Sequence, residues 1–144
     1  MPARLDRLFQ FQDLRNCTLA TMHVVMATRL TTRFMMAGRD PLPDLAVRLR
    51  SVAAARRIEA LVVLVNALWP EPFLIHQPCC MMLSPDELLL AQVATAAAHG
   101  DHAGGLRAVS DFLPNASGER LFRECAATLA AIQATQKLPT GRPD

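Results

Sequence analysis

Four prolines between residues 70 and 85 (Pro70, Pro72, Pro78 and Pro85) constrain this chain more than any other feature. A proline lacks the backbone N–H and its ring clashes with the preceding helical turn, while the residue before it is pushed toward extended conformations. Residues 70–84 are therefore expected to form an extended connection, the longest loop of the chain. The segments on either side are filled with Ala, Leu, Arg, Met and Gln, which favour helix. No sustained period-two alternation is present, Asn-Gly and Asp-Gly are absent, there is no Tyr, and Trp occurs once, so nothing asks for a sheet.

The expected fold class is all-α, a single-domain bundle of five or six helices over residues 1–137, followed by a loose tail at 138–144. A first helix is expected over about 4–14, with Leu5, Leu8 and Phe9 apolar. A second is expected over 17–36, with Leu19, Met22, Met26 and Leu30 at helical spacing, and residues 15–17 leave open whether the two are continuous. Gly38, Pro41 and Pro43 mark a stop, and Asp44 is the expected N-cap of one long helix reaching Leu68. Ser84-Pro85-Asp86-Glu87 is the strongest local signal. It places Ser at the cap, Pro where no amide is needed, an acid in the first turn, and Glu87 within reach of the Ser84 amide. It predicts a helix over 85–98. The GDHAGG stretch from Gly100 is expected to turn the chain into a short amphipathic helix carrying Leu106, Val109, Phe112 and Leu113, stopped by Pro114. A last helix over 118–136 puts Phe122, Cys125, Leu129 and Ile132 on one seam.

At 144 residues the chain has the size of one domain and can bury roughly 68% of the surface its unfolded form exposes. Its 51% hydrophobic content is too high for disorder, yet stretches such as ALVVLVNALW at 60–69 fall short of the ~20 apolar residues of a membrane helix. The first residues mix charges into the opening turns without an unbroken apolar run, so a soluble, cytoplasmic protein with no membrane span is expected. Cys17, Cys79, Cys80 and Cys125 are then expected to be reduced thiols.

Charge is uneven: residues 1–60 carry ten Arg against five acids, whereas residues 61–144 are net acidic. Arg48, Arg50, Arg56 and Arg57 crowd the expected long helix and Arg29, Arg33 and Arg39 end the one before it. This makes a basic face for nucleic acid an alternative reading, opposed by the acidic C-terminal half and the lack of interleaved aromatics. The helix at 85–98, with Leu88, Leu89, Leu90, Val93, Ala94 and Ala97, is apolar around most of its circumference, which demands a central position or an interface. The preferred expectation is a homo-oligomer or a complex with a protein partner.

His76, Cys79 and Cys80 are soft-ligand types at short spacing, and His99 and His102 offer a second pair. The intervening helix of ~14 residues, at about 1.5 Å per residue, holds the two pairs about 20 Å apart, so no metal is expected there. One cysteine, with Met81 or Leu83, is expected to plug the core, and the residue ahead of Ser84 to staple onto Leu88. A metal or thiol role for His76, Cys79 and Cys80 is the further alternative. His23, on the stripe with Met26 and Leu30, reads as a core or interface histidine, and Cys17 and Cys125 as small seam residues. No G-x-S-x-G, P-loop, G-x-G-x-x-G or H-E-x-x-H occurs, so a non-enzymatic helical interaction or regulatory protein without a cofactor is expected.

Pro78-Cys79-Cys80, Ser84, Asp86-Glu87 and the leucines through Leu90, followed by a leucine- and alanine-rich helical end, resemble a family of short uncharacterised alphaproteobacterial proteins. The resemblance spans some 13 residues of the chain and implies membership without a mechanism.

Overall fold

A computed structural model describes residues 13–137, and the expected helix over 4–14 and tail over 138–144 lie largely or wholly outside them. Among the described residues there are six α-helices: α1 (Leu19–Met36), α2 (Leu42–Leu49), α3 (Val52–Leu68), α4 (Pro85–Ala98), α5 (His102–Val109) and α6 (Asn115–Lys137). The all-α bundle is thus observed. No helix among the described residues is long and apolar enough to cross a membrane.

At its described end the expected first helix gives way to other structure. Asp13 is extended and bridges antiparallel to Met82, after which Leu14–Asn16 make a single 3-10 turn. Thr18 then caps α1 by accepting from the Thr21 amide.

The expected long helix from Asp44 to Leu68 is two helices. Arg50 adopts a left-handed conformation, φ 55° and ψ 32°, which ends α2. Ser51 restarts the chain by accepting the Ala54 amide at 3.0 Å. For a residue with a Cβ the left-handed region costs roughly 1–2 kcal/mol, which capping and the burial of two separate apolar faces offset. Asp44 lies inside the first turn of α2 and pairs with Arg48 at 2.7 Å; Asp40 instead accepts the Leu42 amide.

A second correction concerns GDHAGG. Only Gly100, at φ 67°, turns the chain, and Asp101 caps the Gly104 amide, so both following glycines sit inside α5. The short helix therefore runs earlier than the apolar spacing of Leu106 to Leu113 suggests. The last helix likewise begins three residues early, at Asn115.

Helix α4 is central, packed by α1, α5 and α6, with Leu90, Val93 and Ala94 fully buried. Its apolar circumference is thus covered within the fold. Helix α3 lies against α1, α2 and α6, and α6 runs antiparallel to it: Arg57 lies beside Glu124, and Leu49 and Arg50 beside Ile132 and Thr135. The inner face of α3, Ile58, Leu61, Val62 and Val65, joins Leu121, Cys125 and Leu129 in the main core. Val63 on the outer face remains 53% exposed. A smaller cluster of Leu14, Val25, Leu83 and Ala91 takes in Leu88, which realises the staple ahead of α4.

Gly105 lets α5 pack tightly on α6, since a Cβ there would stand 2.5 Å from Cδ2 of the Phe122 ring. Helix propensity alone favours Ala over Gly by about 1 kcal/mol, whereas overpacking costs about 1–3 kcal/mol. Gly105→Ala should therefore lower stability in a denaturant titration, the reverse of the propensity sign. An unchanged or raised midpoint would show that the Phe122 ring yields freely.

Candidate functional site

The residue that organises the proline-rich loop is Arg29, which the sequence pattern places among solvent-facing arginines. It sits mid-way along α1, one turn past Val25, and is fully buried. Its guanidinium grips Glu87 through two bonds, Nε to Oε2 at 2.7 Å and Nη2 to Oε1 at 3.0 Å. The three remaining N–H groups donate to loop carbonyls: Nη1 to Cys80 at 2.6 Å and Gln77 at 3.2 Å, and Nη2 to Met82 at 2.9 Å. All five donors are used.

Glu87 is equally saturated. Besides Arg29 it accepts from the Ser84 amide at 2.9 Å, closing the capping box that the sequence predicts, and from the His76 amide at 3.3 Å. Ser84 also donates its hydroxyl to the Leu74 carbonyl at 2.6 Å, and Asp86 accepts the Leu74 amide at 2.7 Å. The cap of α4 is thus at once the anchor of the loop. Breaking a buried, hydrogen-bonded pair leaves one charge uncompensated and costs about 3–5 kcal/mol.

The cysteines occupy a turn built on this anchor. The Cys80 amide donates to the Gln77 carbonyl at 2.9 Å, with Pro78 and Cys79 at the corners. Cys79 is exposed and Cys80 half-buried, so neither plugs the core; Leu83 does so, while Met81 stays exposed. Cys80 Sγ lies 3.6 Å from His76 Nδ1, but that same nitrogen is 2.7 Å from the Met82 carbonyl. A carbonyl only accepts, so Nδ1 carries the proton and is not a base toward the thiol. Glu87 approaches this nitrogen too, at 4.0 Å, whereas a nucleophile relay needs base and orienter on opposite ring nitrogens.

The second histidine pair is engaged elsewhere. His99 Nδ1 lies 2.9 Å from the Thr95 carbonyl and His102 Nε2 lies 2.8 Å from Glu119. Among the described residues no three His, Cys, Asp or Glu side chains converge as a metal site. Cys125 is in the core, where burial, aided by the neighbouring Glu124 carboxylate, pushes its thiol up to about 12. Cys17 is half-buried, and burial raises its thiol as well.

The four arginines selected from the sequence divide into two pairs. Arg48 and Arg50 line a cleft with His23, Leu49, Ile132 and Thr135, at the meeting of α1, α2 and the end of α6. Arg56 instead lines a groove with Arg120 and Arg123 of α6, near Arg57, which lies 3.9 Å from Glu124. Arg120 and Arg123 come from the acidic half of the chain, and their three-residue spacing was the only sign that they share a face. Glu59 and Glu124 interrupt the cluster, so the basic face is not continuous.

Glu87→Gln should cost about 3–5 kcal/mol of stability and speed amide exchange of His76 and Ser84 ahead of the helical core; unchanged exchange at both would remove Glu87 as the anchor. Alkylation with iodoacetamide at neutral pH should modify Cys79 first and Cys80 next, with Cys125 reacting only in denaturant, as mass spectrometry can read. Early labelling of Cys125 would contradict its burial. Comparison with protein-family models, with curated proteins and with solved structures finds no match to this chain.

Proposed function

We propose that this protein works by binding rather than catalysis, as a small helical interaction module that pairs with a second copy of itself through the groove between α3 and α6. The observation that carries this reading is the outer face of α3. Arg56, Ala60, Val63 and Ala67 follow the four-three-four spacing of a helix–helix seam, and they lie open to a groove of about 720 Å³. The first and last of these positions are polar and small, and the middle is apolar.

The rim carries both signs, Arg56, Arg120 and Arg123 against Glu59 and Glu124. A two-fold interface must be self-complementary, and a mixed rim meets that condition because each arginine can face a glutamate across the axis. One carboxylate oxygen, Glu124 Oε1, is buried and accepts no hydrogen bond among the described residues, with Arg57 Nη1 the nearest cation at 3.9 Å. A nucleic acid laid in the same groove would bring its phosphates against Glu59 and Glu124.

Sedimentation velocity should show a dimer at micromolar concentration, and Val63→Glu should return it to monomer without a change in the circular dichroism spectrum. A clean monomer up to ~100 µM, corresponding to binding weaker than about −5.5 kcal/mol, would overturn the proposal. Salt-sensitive binding of a random duplex, lost on replacing Arg56 and Arg123, would instead assign the groove to phosphates.

A further inference from the structure

A different observation, independent of the α3–α6 groove, concerns the cleft where α1, α2 and α6 meet. One pocket there, of about 170 Å³ and partly open to solvent, is walled by Met26, Ala27, Leu30, Leu45 and Leu49 together with His23 and Arg48. A dry apolar cavity of about 150 Å³ accepts a benzene ring, so this one has room for a six-carbon body. A second pocket of about 210 Å³ adjoins it, with His23, Arg48 and Leu49 lining both, and adds Arg50, Ile132 and Thr135. Apolar side chains, one imidazole and two arginines thus line adjoining pockets.

Among the described residues the charge here is not used up by neighbours. Asp44 takes only Nε of Arg48, at 2.7 Å, and a guanidinium has four further donors. Arg50 stands where the backbone is left-handed, at φ 55°. Glycine fits that conformation without strain, so what an arginine adds at this position is its side chain. Arg50 lines the cleft. His23, half-buried on α1, completes the ring of donors without packing fully into the core.

We propose that this cleft binds a small organic anion, a carboxylate with a hydrocarbon or aromatic body of about six carbons. The body fills the apolar cavity and the carboxylate is held by Arg48 and Arg50, with His23 beside it. Arginine suits this because its planar fork matches a carboxylate through paired N–H bonds.

Hexanoate is the probe, titrated into the full chain by calorimetry and by the nuclear magnetic resonance signals of the His23 ring. Saturable binding near ~1 mM is expected for so few atoms, with the His23 resonances moving along the same curve. Hexanol and hexylamine should bind at least tenfold more weakly. Arg50→Gly relieves the left-handed backbone, so it should melt at or above the temperature of the parent chain while losing about tenfold in hexanoate affinity. Arg50→Gln, which keeps the Cβ and drops the charge, should lose the same amount. No saturation below ~10 mM, equal binding of hexylamine, or unchanged affinity in both Arg50 variants would each overturn the proposal.

Discussion

The buried Arg29–Glu87 pair ties α1, the cap of α4 and the 77–82 segment together at one point. Taking two charges out of water is expensive, and the attraction between them repays it only when every remaining donor and acceptor is satisfied. Here that condition is met on both sides. The guanidinium spends its surplus donors on three carbonyls of the 77–82 segment, and the carboxylate spends its surplus lone pairs on two amides. A loop with few backbone bonds of its own thereby acquires a defined path across α1. Replacing the pair with apolar residues would leave those carbonyls and amides without partners, so it is not interchangeable with a hydrophobic contact.

The rest of the architecture distributes apolar surface around that anchor. With α4 enclosed by α1, α5 and α6, its lack of a polar face is accounted for internally. Surplus apolar surface is displaced to α3, whose inner face fills the core while Val63 faces outward. The left-handed residue between α2 and α3 has a related role. By ending α2 at Arg50 it lets each short helix present its own apolar stripe, and it opens the cleft beside His23.

Local chemistry was legible in the sequence, and chemistry fixed by distant partners was not. Ser84, Pro85 and Glu87 interact within four residues, so α4 and its cap could be read directly. The break at Arg50 was hidden because no glycine or proline marks it, and Ser51 alone signals the restart. The two glycines of α5 misled for the opposite reason: their usual preference for turns gives way to the close packing of Gly105 on Phe122. Arg29 was the deepest omission. An arginine in a helix reads as a solvated side chain, and only the position three residues after Met26, on the apolar stripe, hinted otherwise. Its partner lies 58 residues away, where no periodicity reaches. The site assembled at Arg56, Arg120 and Arg123 was concealed in the same way, by the fold joining two halves of opposite net charge.

The bridge between Asp13 and Met82 fastens the proline-rich loop a second time, from the segment ahead of α1. The Leu14 amide donates to the Met81 carbonyl, so the segment ahead of α1 grips the same loop that Arg29 holds from within α1. Both attachments join residues far apart along the chain, and because they tie the same two segments, making one meets most of the loop-closure entropy of the other. The 76–83 loop is consequently fastened twice, by Arg29 from within α1 and by Leu14 from the segment ahead of it, so releasing one attachment leaves the other in place.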